Sequence, residues 1–271
     1  MRKIFALSLI LLALFAASAS AEVIVGRHSM LNFTEEQMLQ SMKDGLGERF
    51  YVGLDMDSIV LKYYDSLALM QLALDRGEIN LMSVPFPVGQ FVLNSNPGYV
   101  LNGLDWWFTS SANTFNCAFL EKNSALRDRF NEAIKGMKND GMLAVIENKY
   151  ADDVDVNNIA PVAFEKFDGA ETITVAVTGD MPPIDYVAAD GTPAGYNTAI
   201  LSEIGKRLHA NIKVIDIETG ARVSALTSGR ADVVFWFQSS VDNKFQADVP
   251  SGIILSEPYY KWNEQYFIGK K

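Results

Sequence analysis

Residues 172–237 constrain the fold most, because short β-rich runs and amphipathic helical runs take turns along them. Residues 172–178 read TITVAVT, with Ile173, Val175 and Val177 in a strand pattern that the turn Gly179-Asp180-Met181-Pro182-Pro183 ends. After the turn at Asp190-Gly191, Asn197 is placed to cap a helix whose Ile200, Leu201, Ile204 and Leu208 share one face. A strand over 212–217, a short helix with Val223 and Leu226, and a strand over 231–237 follow. Strands and helices alternating at these lengths predict a parallel sheet with helices on its faces, an α/β class.

A similar unit lies earlier in the chain. Ser66-Leu67-Ala68-Leu69-Met70 opens a helix that runs to Arg76-Gly77-Glu78-Ile79-Asn80, before a strand over 81–84. The later counterpart is Ser224-Ala225-Leu226, then Ser228-Gly229-Arg230-Ala231-Asp232, then the strand from Val233. Both read helix, glycine, charged residue, apolar residue, Asn or Asp, strand. Glycine ends many helices on its own account, yet the shared order suggests two lobes of related architecture. Between the units, 124–138 forms an amphipathic helix with Leu126, Phe130, Ile134 and Met137 on one side. Asn139-Asp140-Gly141 interrupts it, and a second helix carries Leu143, Ile146 and Tyr150. Residues 152–171 are acidic, contain Pro161 and Gly169, and lack a periodic face, which marks a linker.

The N-terminus begins MRKIFALSLILLALFAASASA: Arg2 and Lys3, an apolar run too short for a bilayer, then small residues. This pattern predicts a signal peptide over 1–21, cut before Glu22, and export to a periplasm. The chain carries 23 Lys and Arg against 33 Asp and Glu, a formal charge of −10 at pH 7. Such a surface argues against nucleic acid and anionic membrane as partners. Cys117 is the single cysteine, so no disulfide forms within the chain. The two histidines, His28 and His209, leave no Cys/His cluster for a metal, and no cofactor is expected. His209 reads as a solvated cation at a helix end, and Glu35 and Glu36 after Thr34 as a helix start.

Three stretches together resemble the polar amino-acid-binding proteins of ABC importers, extracellular solute-binding family 3. They are TITVAVTGDMPPIDYVAADGTPAGYNTAILSEIGKRL, LTSGRADVVFWF and LSEPYY, in the family's order over 172–271. Segments that come later in the family lie earlier here: YYDSLALMQLALDRGEINLMSV and FLEKNSALRDRFNEAIKGMKNDGMLAVIENKY. The resemblance implies a two-lobed periplasmic binding protein type II fold, each lobe a sheet flanked by helices, with the lobe order permuted. Lobe two would occupy 22–103, a helical segment completing lobe one 104–151, the linker 152–171, and the main part of lobe one 172–271. A fusion of partial copies that swaps lobes between chains is the rival account. Helices of 124–150 packed on the 172–271 sheet would favour permutation.

In this architecture ligands bind between the lobes, beyond the carboxyl ends of the parallel strands. That rule nominates Asp180 and Met181, Thr219, and Trp236, Phe237, Gln238 and Ser239 with Lys244 beyond, in lobe one. In lobe two it nominates Ser83 and Pro85. The family's carboxylate-binding Arg aligns with Lys244, which keeps the charge and loses the bidentate fork. The acid that receives a ligand ammonium aligns with Pro85, and the two aromatic walls align with Met181 and Thr219. Small residues expected after the third strand are Trp236 and Phe237, which either fill the pocket or stack on a flatter ligand. Asp180 is the candidate replacement acid. The resemblance implies no catalytic residue: the chain would bind a small polar solute by hinge closure as a monomer and deliver it to an ABC permease. A dehydratase-like enzyme acting on a cyclic carboxylate and a soluble sensor are the alternatives.

Overall fold

The computed structural model describes residues 22–29, 59–105, 113–152, 155, 157–239, 249–262 and 265–271. The expected leader over 1–21, the expected helix start at Thr34-Glu35-Glu36, Trp106, Trp107 and Lys244 lie outside these residues.

The first half builds one sheet. Strands β1 (Val23–His28) and β2 (Ile59–Tyr64) run parallel, and helix α1 (Leu67–Asp75) leads into β3 (Leu81–Pro85), parallel to β1. Ser66 caps α1 by accepting a hydrogen bond from the Leu69 amide at 3.2 Å, as its position before the apolar run predicts. Leu67, Met70, Ala73 and Leu74 form the buried stripe of α1. Helix α2 (Phe86–Ser95) and strand β4 (Tyr99–Asp105) complete this half.

Strand β5 (Asn113–Leu120) then leaves for a second sheet. Helices α3 (Ser124–Asn139) and α4 (Met142–Glu147) follow, with a π-helical turn over Asn148–Asp152. Phe130, Ala133, Ile134 and Met137 recur at helical spacing and are buried, with the Phe130 ring edge-on to Phe119 of β5 at 5.2 Å. The chain continues through β6 (Thr172–Val177), β7 (Asp180–Met181), β8 (Asp185–Val187), β9 (Pro193–Ala194), α5 (Gly195–Leu208), β10 (Asn211–Asp216), α6 (Arg222–Thr227) and β11 (Val233–Ser239). Strands β12 (Ile253–Leu255), β13 (Tyr260–Trp262) and β14 (Gln265–Lys270) close it.

The two sheets share one plan. The first runs β2-β1-β3-β14-β4 and the second β10-β6-β11-β5-β12, with β13 as a sixth strand that also pairs with β5. Each has three parallel strands, then a strand contributed from the other half and antiparallel to its neighbours, then an edge strand. The α/β expectation with helices on both sheets therefore holds. The second sheet is buried on both faces: Val175, Val177, Val233, Phe235, Cys117 and Phe119 enter one cluster, while the alternating Ala176, Val234 and Ala118 enter another under α6. Where the chain passes between the sheets, Asp105 pairs with Gln265 and Asn113 with Trp262.

The shared motif performs the same task in both halves. Asn80 accepts from the Ile24 amide at 2.7 Å and its own amide donates to the Ile24 carbonyl at 2.8 Å. Asp232 accepts from the Thr174 amide at 2.8 Å and donates to the Thr174 carbonyl at 2.9 Å. Gly77 and Gly229, at φ +71° and +75°, turn each chain out of its helix toward that clamp.

Two local expectations change. Helix α5 starts at Gly195, two residues before Asn197, because Tyr196 and Asn197 amides donate to the Pro183 and Ile184 carbonyls and fix the first turn. Asn197 is therefore inside the helix and buried, with no capping bond. The 152–171 segment docks onto the second sheet's lobe: the Asn211 side chain bonds Phe167 and Ala170, and Ser202 Oγ donates to the Ala163 carbonyl.

Candidate functional site

The carboxyl ends of β6, β10 and β11 converge on a buried polar group. β6 delivers Thr178 and the turn at Gly179, whose φ of +77° sends Asp180 toward the first half. Asp185, in β8, is buried and accepts from the Thr178 amide at 3.0 Å and its hydroxyl at 2.9 Å. Arg222, the first residue of α6, reaches under the end of β11 and donates to the carbonyls of Phe235 and Trp236 at 3.1 and 3.3 Å. Burial pushes the Asp185 carboxyl up, against its two Thr178 bonds and the Arg222 charge. Burial likewise pulls the Arg222 guanidinium down to about 10, against the Asp185, Tyr259 and Asp180 charges. For both groups desolvation outweighs their mutual attraction.

Three buried polar atoms here have no hydrogen-bond partner: Asp180 Oδ1, Thr219 Oγ1 and Arg222 Nε. Leaving such atoms unmet costs about 1–3 kcal/mol each, so their grouping at three strand ends calls for a physical account. Among them are a carboxylate acceptor, a hydroxyl and a cationic donor.

Asp180 also spans the two halves. Its Oδ2 accepts from the backbone amide of Leu67, the first residue of α1, at 3.1 Å, and His28 Nε2 lies 3.4 Å away. The other ring nitrogen, Nδ1, faces the Ser29 carbonyl at 3.0 Å. Both ring nitrogens thus face oxygen atoms.

Residues 173–270 match the family described as bacterial extracellular solute-binding proteins, family 3. The part of the chain that is similar to this family is thus its carboxyl-terminal segment. Solved structures of similar outline include the ligand-binding component of an ABC-type import system from Staphylococcus aureus with zinc bound, at 10% identity and TM-score 0.45, covering 93% of this chain and 66% of that one. The alkanesulfonate-binding protein SsuA from Xanthomonas axonopodis pv. citri bound to MOPS matches at 9% identity and TM-score 0.44, covering 94% and 67%. A putative L-cystine ABC transporter from Listeria monocytogenes matches at 11% identity and TM-score 0.39, covering 93% and 83%. The chain thus spans about two thirds of the length of the first two. Likeness at this level says nothing about ligand or partner.

The nominated residues divide into two groups. Asp180 and Thr219 stand at the strand ends with unmet polar atoms, and Ser83 and Pro85 lie buried in β3 of the other lobe. Met181, Trp236 and Phe237 are packed in the core. The register between β11 and β5 shifts between Val234 and Phe237, and the extra residue there gives Trp236 a φ of +66°. That bulge sends the indole onto Phe115 and Tyr260, with its amide on the Tyr259 hydroxyl at 3.1 Å, while Phe237 packs on the opposite face under α6. Both side chains are thus buried against protein. Gln238 and Ser239 continue β11 opposite Phe115 and Thr114. Sequence reasoning missed Asp185 and Arg222. Arg222 and Asp185 flank the nominated Thr219 and Pro183, the one local signal that would have found them.

Proposed function

We propose that this chain is the periplasmic solute-binding component of an ABC importer, exported by the 1–21 leader and acting as a monomer that closes on a small polar solute between its lobes. The observation that carries this reading is the set of unmet polar atoms on Asp180, Thr219 and Arg222 at the carboxyl ends of β6, β10 and β11. A solute offering both a donor, for the carboxylate, and an acceptor, for the guanidinium and hydroxyl, satisfies all three. An amino acid or a close derivative has that chemistry. Asp180 then stands in for the acid that Pro85 replaces in lobe two.

The lobe order belongs to the same proposal. Lobe two spans 22–103, 104–151 returns to complete lobe one, 152–171 links, and 172–271 forms the bulk of lobe one. Support comes from α3, whose buried face packs on β5 and α5 within the second sheet's lobe rather than pointing to solvent. The shared order of three parallel strands, one antiparallel strand from the other half and an edge strand in the two sheets supports it as well.

Mass spectrometry of solute released from freshly purified protein tests the function without a guess about chemistry. A thermal screen across amino acids, amines and carboxylates is its partner. Binding at a hundredfold excess over Kd stabilises by about 2.7 kcal/mol, and a screen without any shift would remove the reading.

A further inference from the structure

We infer that Asp180 is an internal latch, which holds the two lobes together before any solute arrives. Its carboxylate comes from lobe one, on the turn after β6, yet its Oδ2 bonds are made to lobe two: the Leu67 amide at 3.1 Å and the His28 ring at 3.4 Å. These two partners come from different elements, the end of β1 and the start of α1, so one carboxylate ties two parts of the opposite lobe. The contact is sheltered, with the His28 side chain 11% and the Asp180 side chain 27% exposed, and a charge-assisted bond in such a place is screened less than one at the surface.

Chemistry around the carboxylate makes the latch one-sided. The nearby charges on lobe one are Asp185, which repels it, and Arg222, which attracts it; Arg222 is committed to the Phe235 and Trp236 carbonyls. Oδ2 therefore finds its hydrogen bonds across the cleft, while Oδ1 stays unmet on its own side. The first turn of α1 presents an amide and the positive end of the helix dipole, both of which favour an anion. With the latch engaged, the lobes rest closed on a side chain, and a solute enters through the fraction of molecules in which it has opened.

The inference rests on the interlobe space being the solute site, but its test contains no solute, so its failure is separate from that of a solute screen. Asp180→Ala removes the carboxylate, and acetate is that side chain as a free molecule. Small-angle scattering of the full chain should give a larger radius of gyration for Asp180→Ala than for the parent. Acetate should restore the parent value saturably, acetamide should not, and neither should move the parent. An unchanged radius in Asp180→Ala, or an equal response of parent and variant to acetate, overturns the latch. Where Asp180→Ala does not fold, Asp180→Asn keeps the size and removes the charge: it should expand the chain part of the way, and a radius equal to the parent's overturns the inference equally.

Discussion

The indole of Trp236 lies flat on the ring of Phe115, with centroids 3.9 Å apart and planes 15° from parallel. Phe115 belongs to β5, the strand that arrives from the first half, so this stack joins the two halves of the chain inside one sheet. Trp236 is 6% exposed and also meets Tyr260 at 5.7 Å. Trp236→Ala should therefore cost about 3–5 kcal/mol of stability. Urea denaturation checks it. A variant as stable as the parent would return Trp236 to the role of a ligand platform.

Asp185 reverses the usual pH behaviour of a carboxylate. Its pKa is raised in the folded state, so the native protein holds a proton that the unfolded chain has already lost. Stability is then highest below the unfolded value and falls as pH rises through the folded one. Asp185→Asn removes that slope and keeps an acceptor for Thr178. Urea midpoints between about pH 4 and pH 7 should decline less steeply for the variant than for the parent. Parallel profiles would show that Asp185 does not carry the effect.

Gly195 and Gly77 both have positive φ, +80° and +71°, but different surroundings. A Cβ on Gly195 would stand 2.0 Å from the Pro183 carbonyl oxygen, in the turn that starts α5, whereas nothing lies within 4 Å of one on Gly77. Gly77→Ala should cost about 1–2 kcal/mol, the ordinary penalty of a left-handed L residue. Gly195→Ala must also move backbone, and the yield of folded protein should collapse. Equal unfolding midpoints for the two variants would refute the distinction.

Cys117 offers a probe that needs no mutation. It is fully buried in β5, and burial pushes its thiol pKa well up, against the bond from Ser256. A thiol reagent should leave the native protein unlabelled for hours and react at the rate of unfolding when denaturant is added. Stoichiometric labelling in native buffer would show that β5 opens without global unfolding.

The legibility of this fold from sequence follows the range of the interactions. The βα units around α1, α5 and α6 announce themselves because periodicity and turn residues lie within one segment, and the Asn80 and Asp232 clamps follow a motif that is visible twice. Strands β5 and β14 do not: each completes the sheet of the other half, so no neighbouring residue signals its partner. Trp236 could be nominated as a strand-end residue, but its direction depends on a bulge set by the register with β5. The bridge from Asp180 to His28 joins residues 152 positions apart, and no local pattern encodes it.

The proposed permuted order makes a prediction about connectivity itself. Strand β3 lies between β1 and β14, with Leu81 opposite Val25 and Met82 opposite Ile268. Neighbouring strands are about 4.8 Å apart, so the start of β1 and the end of β14 stand roughly 10 Å from one another, a gap that about four residues span. A rearranged chain that begins at residue 172, passes from Lys271 through a short Gly/Ser linker to Glu22 and ends at Asp152 keeps every strand pairing named here. It should fold to a monomer with the parent's near-ultraviolet circular dichroism, at a stability lowered by the docking lost with 153–171. If the segments instead belong to lobes swapped between chains, the rearranged protein should dimerise or aggregate, which size-exclusion chromatography with light scattering separates from the monomer.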